Sequence, residues 1–166
     1  MRLQIRAERP SDASFIHELT TAAFESAPYS GGDEADIVDR LREAGALAVS
    51  LVAVDSGEIV GHVAFSPVTI GEAEGDWFAL GPISVQPERQ GQGVGQALVR
   101  AGIEALAALG ASGCALLGAP GYYGRFGFES DEALRYGGVA SPYLQRVVLR
   151  GGPPTGDVQF HPAFGT

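Results

Sequence analysis

Between Trp77 and Leu117 the chain reads as a strand, a glycine-rich turn, a long helix and a second strand. That order constrains the fold more than any other feature, because a strand followed by a helix and another strand yields a parallel pair with a right-handed crossover. The central run is Val85-Gln86-Pro87-Glu88-Arg89-Gln90-Gly91-Gln92-Gly93-Val94-Gly95-Gln96-Ala97-Leu98. Its helical part has Val94, Ala97, Leu98, Ala101, Ala105 and Ala108 at one-face spacing, with Gly110 as terminator. Cys114 to Leu117 is a short apolar run of buried-strand type. A turn of this composition opening a helix is built for phosphate. Unpaired backbone N–H groups point outward, the helix dipole favours an anion, and glycine permits close approach.

The flanking segments suit a sheet of mixed direction. Leu3, Ile5 and Ala7 alternate as a half-buried strand, and Pro10-Ser11-Asp12 supplies turn and N-cap chemistry. A helix follows with Phe15, Ile16, Leu19, Ala22 and Ala23 on one face. Ala27 to Gly32 breaks it, and Asp33 to Ala44 restarts one with Ile37, Val38 and Leu41 buried and Gly45 as the stop. Ala48 to Val54 and Ile59 to Phe65 read as antiparallel strands joined by the hairpin turn Asp55-Ser56-Gly57-Glu58. The acidic linker Gly71 to Asp76 leads into the Trp77–Val85 strand, where Gly81-Pro82 predicts a bulge or splay, since proline cannot donate to a ladder. Tyr122 to Phe126 reads as a short helix, and Gln145 to Leu149 and Asp157 to Phe160 as the last strands. At 166 residues, one domain spanning 1–166 is expected.

Composition narrows the partners. A formal charge of −9 argues against nucleic acid and leaves room for a cationic, amine-bearing substrate. All 11 basic residues are arginine, so a Walker A loop and a lysine Schiff base are excluded. No apolar run is long enough to span a membrane, and Met1-Arg2-Leu3-Gln4 does not begin a signal peptide, so a cytoplasmic protein is expected. Cys114, the only cysteine, reads as a small buried hydrophobe. No metal site is expected.

The glycine letters discriminate among phosphate loops. The dinucleotide pattern G-x-G-x-x-G fails, because Gln96 or Leu98 stands where the last glycine is required. Gln/Arg-x-x-Gly-x-Gly/Ala fits as Gln90-Gly91-Gln92-Gly93-Val94-Gly95. This resembles the pyrophosphate motif of the GCN5-related N-acetyltransferase (GNAT) superfamily. The order of elements is similar to that family over nearly the whole chain, and Tyr122-Tyr123-Gly124-Arg125-Phe126-Gly127-Phe128 resembles the YYxRFGF element of its small bacterial members.

The resemblance implies a mixed α/β (α+β) fold, with a mostly antiparallel central sheet, helices on both faces and a splayed parallel strand pair at the CoA site. It implies an acetyl-CoA-dependent acyltransferase that moves the acetyl group directly to an amine of a small molecule or peptide. A non-catalytic acyl-CoA sensor is the alternative on the same scaffold. Ile83, Ser84 and Val85 would lend backbone groups to the pantetheine arm, and Gln90, Gly91, Gln92, Gly93, Val94, Gly95 and Gln96 would hold the pyrophosphate. Arg89 would face solvent rather than reach a phosphate. Tyr123 would be the general acid, with Tyr122 exchanging for it on a one-residue shift. No base is assigned: Trp77 to Val85 holds no carboxylate, only Ser84, while Glu72, Glu74, Asp76, His62 and His161 lie elsewhere. The acceptor pocket is expected near Tyr29, the linker before Trp77 and the C-terminal segment. A homodimer is common in the family.

Overall fold

The protein is described from a computed structural model covering residues 2–25, 27 and 30–165. Tyr29, expected beside the acceptor, lies outside the described residues. The chain divides into two compact units, one of residues 1–65 and 81–102, the other of residues 66–80 and 103–166. The strands are β1 Leu3–Ala7, β2 Val49–Asp55, β3 Glu58–Ile70, β4 Trp77–Val85, β5 Gly113–Leu117, β6 Leu134–Arg135, β7 Leu144–Val148 and β8 Gly156–Gln159. The helices are α1 Ala13–Phe24, α2 Glu34–Glu43, α3 Val94–Ala108 and α4 Pro120–Tyr123. The class is mixed α/β, mostly antiparallel with β4 and β5 parallel, as the resemblance implies.

In the first unit the strand order is β1-β2-β3-β4. β1 and β2 pair antiparallel from Leu3–Asp55 to Ala7–Leu51. β2 and β3 form the expected hairpin, with Ser56 and Gly57 both at positive φ, as a two-residue loop requires. Val52 on β2 packs with Ile16 of α1 and Val38 of α2, flanked by Val54 and Ile59. The face of α1 differs from the expected one. Ile16, Leu19 and Thr20 are buried, whereas Phe15 is 59% exposed and Ala22 is also exposed. α2 buries Ala35, Ile37, Val38 and Leu41 as its spacing requires, and Gly45 ends it at φ 68°. Within this unit the buried positions of α3 are Val94, Leu98, Val99 and Gly102. At Gly61 on β3 an added Cβ would come within 2.8 Å of Val94 Cγ1 and 2.9 Å of Leu98 Cδ1. A bare glycine there lets the first turns of α3 lie flush on the strand.

In the second unit β5 pairs parallel with β4 and antiparallel with β7. Trp77 and Ala79 of β4, Ala115 of β5, Leu144 of β7 and Val158 of β8 share a core with Val68, Ile70 and Leu134. β3 extends to Ile70, five residues beyond the expected end, so that Thr69 and Ile70 pair with β8. β6, only two residues long and paired with β8, has no signature in the sequence.

Candidate active site

Residues 81–85 of β4, the loop 86–93 and the start of α3 all belong to the first unit, and they carry the expected cofactor residues. The ladder between β4 and β5 ends at Ala79–Ala115, well before Val85. The Gly81–Pro82 peptide is cis. Ile83 and Val85 are half-buried and Ser84 is buried.

After β4 a single 3₁₀ turn, Pro87–Arg89, leads into the glycine loop. Gly91 and Gly93 sit at φ 78° and 88°, where a side chain would strain the backbone, and nothing lies within 4 Å of a Cβ built at either. The loop is therefore open above its glycines. The bond from Ala97 N–H to Gly93 O, 3.1 Å long, closes the first turn of α3. The amides ahead of Ala97 thus precede the i→i−4 ladder and are available to an anion. Gln90 donates its side-chain amide to Val85 O at 3.2 Å, and Gln92 to Glu88 O at 3.3 Å. Both side chains tie the loop to the segment before it. Gln90, Gly91, Gln92 and Gly93 are exposed, Val94 is buried, and Gly95 and Gln96 are half-buried.

Arg89 does not face solvent as expected. Its guanidinium pairs with Asp55 Oδ2 at 2.6 Å, tying the 3₁₀ turn to the β2–β3 hairpin. That hydrogen bond outweighs desolvation and holds the Asp55 carboxyl below the usual range. The pair is a brace for the loop.

In the second unit Tyr123 ends α4, and its ring lies against the chain leaving β5. A Cβ at Gly118 would come within 2.6 Å of Tyr123 Cε2. The ring also meets Phe128 edge-on, with centroids 5.9 Å apart. Tyr122 is held differently. Arg125 stacks over its ring at 4.8 Å and donates Nε–H to its carbonyl at 2.9 Å. Burial, then the proximity of Tyr122 and Cys114, pushes the Tyr123 phenol up to about 12. Cys114 is fully buried, and burial pushes its thiol far up, which fits the inert role expected of it.

The residues considered for a base separate cleanly. Glu72, Glu74 and Asp76 are exposed. His161 caps the last 3₁₀ turn, its Nδ1 accepting from Ala163 N–H at 3.0 Å. His62, on β3, is completely buried, and Ser50 Oγ lies 2.8 Å from its Nε2. Ser50 also bonds Glu8, which Arg42 clamps with Nε–Oε2 at 2.9 Å and Nη2–Oε1 at 3.0 Å. Burial would raise the Glu8 carboxyl, but the hydrogen bonds from Arg42 and Ser50 outweigh it and the net direction is down. Sequence reasoning named His62 alone and missed Glu8, Arg42 and Ser50.

Two cavities flank these elements. One, of about 760 Å³, lies in the first unit between Phe15, Leu19 and Ala22 of α1 and Glu58, Gln86 and Glu88. The other, of about 630 Å³, lies in the second unit between the Glu72–Trp77 linker and Arg150–Thr155, where the linker was expected to border the acceptor.

The model of the GNAT acetyltransferase family matches residues 14–128. The chain is 37% identical to the N-acetyltransferase YhbS of Escherichia coli, over 96% of this chain and 97% of that protein. It is 42% identical to the Escherichia coli N-acetyltransferase YjhQ over 80% of this chain and 72% of that one. Among solved structures, a GNAT acetyltransferase from Brucella melitensis in complex with acetyl-CoA is 48% identical with a TM-score of 0.87, covering 98% of each chain. Escherichia coli YhbS in complex with CoA gives a TM-score of 0.89 at 36% identity, covering 100% of this chain and 93% of that one.

Proposed function

Since the chain belongs to the GNAT family of acetyltransferases, we propose that its loop Gln90–Gly95 binds the pyrophosphate of acetyl-CoA and that the acetyl group passes directly to an amine. The observation that carries this reading is the open cradle at the start of α3. Two glycines at positive φ leave the loop uncovered, and the amides of the first helical turn lie outside the ladder. Backbone groups of Ile83, Ser84 and Val85 would hold the pantetheine arm, and the amides of Gly91 to Gln96 the phosphates.

Acetyl-CoA supplies an activated thioester, so the protein needs no nucleophile of its own, in keeping with a buried, high-pKa Cys114. Three tasks remain: an unprotonated amine, a donor for the developing oxyanion, and a proton for the departing thiolate. Tyr123 serves the last. With its phenol at about 12, full transfer to a thiolate whose acid has a pKa near 8.5 is uphill by ~5 kcal/mol. Tyr123 therefore acts chiefly as a hydrogen-bond donor that stabilises negative charge as it forms on sulfur. The acceptor is a small-molecule or peptide amine, and an acidic protein suits a cationic one.

Acetyl-CoA should raise the melting temperature while adenine dinucleotides leave it unchanged. A screen of amines, read as release of free CoA thiol, would then identify the acceptor. Stabilisation by dinucleotides and none by acetyl-CoA would overturn the assignment.

A further inference from the structure

Gln145 is a buried amide inside a sheet. It stands second in β7, opposite Leu116 of β5, and is 1% exposed. A polar side chain there is costly unless its hydrogen bonds are made. Gln145 Nε2 donates to Gly118 O at 3.0 Å and, over a longer 3.4 Å, to Tyr143 O. Both partners are carbonyl oxygens, which only accept, so the nitrogen of the amide and not its oxygen must face them. The β5–β7 ladder has its last pair at Leu117–Leu144. One step beyond it, Gly118 N–H still reaches Tyr143 O at 2.9 Å, and Gln145 holds the Gly118 carbonyl. Gly118 is thus fixed by both of its polar groups where β5 leaves the sheet.

Tyr123 takes its position from this segment. Ala119 O accepts the amide N–H groups of Tyr122 and Tyr123, each at 3.1 Å, which ties the backbone at the end of α4 to the residue after Gly118. The ring is seated on Gly118 itself. A Cβ there would come within 2.6 Å of Tyr123 Cε2, 3.0 Å of its Cδ2 and 3.2 Å of Leu116 Cδ1. The φ of Gly118 lies outside the left-handed region, so glycine is needed for the space it leaves and not for its backbone angle. Strand alternation puts Leu116, Gly118 and Gln145 on one face, the face that the Tyr123 ring covers at Gly118. All of these residues belong to the second unit.

We propose that Gln145 is the positioning residue of Tyr123: by clamping Gly118 it fixes the seat of the phenol ring, and with it the place of the hydroxyl that meets the departing sulfur. The role of the hydroxyl rests on the acetyltransferase reading, whereas the seating of the ring does not. As the C–S bond of the thioester breaks, both electrons stay on sulfur, and a hydrogen bond to that charge weakens steeply with misalignment. A ring loose on its seat is less often in line, so the loss falls on turnover and not on cofactor binding.

The seating is tested by NMR of protein labelled with ¹³C-tyrosine. The chain has five tyrosines, and the Tyr123 ring signal is assigned by its loss in Tyr123→Phe. Gln145→Met keeps an unbranched side chain of similar bulk and removes the donor, while Gly118→Ala keeps the donor and fills the seat. Each should shift the Tyr123 ring signal and leave that of Tyr136, which packs on Phe160, in place. A Tyr123 signal unmoved by Gln145→Met overturns the proposal. Should that variant fail to fold, Gln145→Asn, one methylene shorter, is read in the same way.

The kinetic arm measures release of CoA thiol with hydroxylamine as acceptor, after subtracting the uncatalysed rate. Gln145→Met should lower kcat roughly 10-fold and leave the KM for acetyl-CoA within about twofold. In a Tyr123→Phe background the same change should cost less than about twofold, because the hydroxyl it positions is already gone. Losses that multiply in the double variant would mark a structural role and overturn the positioning. Tyr123→Phe protein as active as wild type would instead overturn the role of the hydroxyl, and a wild-type protein that acetyl-CoA fails to stabilise would overturn the function; in both cases the ring signals still decide the seating.

Discussion

At neutral pH the imidazole of His62 sits uncharged inside the sheet, and this makes folding stability depend on acid in a way that can be worked out beforehand. The ordinary pKa is 6.5 and burial lowers it to about 4, with attraction to Glu8 opposing and repulsion from Arg42 assisting. A folded value below the unfolded one means that the unfolded chain takes up the proton first. The stability held above pH 6.5 is therefore lost as the pH falls toward 4, and the loss from this group levels off below that. Integrating between about pH 7.5 and 4.5 gives a loss of ~2.5 kcal/mol. His62→Gln can still donate an amide N–H to Ser50 but cannot titrate, so it should lack this loss. Urea unfolding followed by circular dichroism at several pH values would measure the difference. Acid losses from Glu8, Asp12 and Asp55, whose carboxyls are all held low, are common to both proteins and largely cancel. Parallel stability curves for wild type and His62→Gln across this range would refute the argument.

Three further outcomes follow from the site. Gly93→Glu introduces a side chain at φ 88° and a negative charge at the open face of the loop; it should weaken acetyl-CoA binding at least ~30-fold by calorimetry, and retained affinity would mean the loop is misplaced. Tyr123→Phe should lower kcat by roughly 10²-fold while changing acetyl-CoA affinity less than about twofold, since its contact matters only as charge develops on sulfur. Arg89→Ala removes the brace to Asp55; it should cost about 1 kcal/mol of stability or less in urea titrations and leave acetyl-CoA affinity within about threefold, whereas a loss of 10²-fold would show Arg89 reaching a phosphate after all.

The parts of this fold legible in the sequence are those whose causes are local. The β2–β3 hairpin is specified by Ser56-Gly57 between two apolar runs, and the loop into α3 by glycines that alone accept its backbone angles. Helical period gave α1 and α2 their existence but not the full orientation of α1. Phe15 and Ala22 fit the apolar stripe as well as Ile16 and Leu19 do, and only packing against Val52 and Val38 decides which are buried. β3 runs through Pro67 because the far end pairs with β8 some ninety residues later, a stabilisation that no window around Pro67 contains.

The candidate site divides along the same line. Anion binding at a helix start is a backbone property, so letters that fix the backbone also reveal the cradle. Hydrogen-bonded and ionic networks depend on side chains brought together across strands. Ser50 and Glu8 stand 42 residues apart in the chain, as Arg89 and Asp55 stand 34 apart, and nothing in their local sequence distinguishes them from surface polar residues. His62 was visible as a histidine on an apolar strand, a pattern that ordinarily means a satisfied core residue. In the structure its Nε2 lies 2.8 Å from Ser50 Oγ, while its Nδ1 has no hydrogen-bond partner among the described residues. Glu8, clamped by Arg42, meets His62 through Ser50 only because the pairing of β1, β2 and β3 brings the three together.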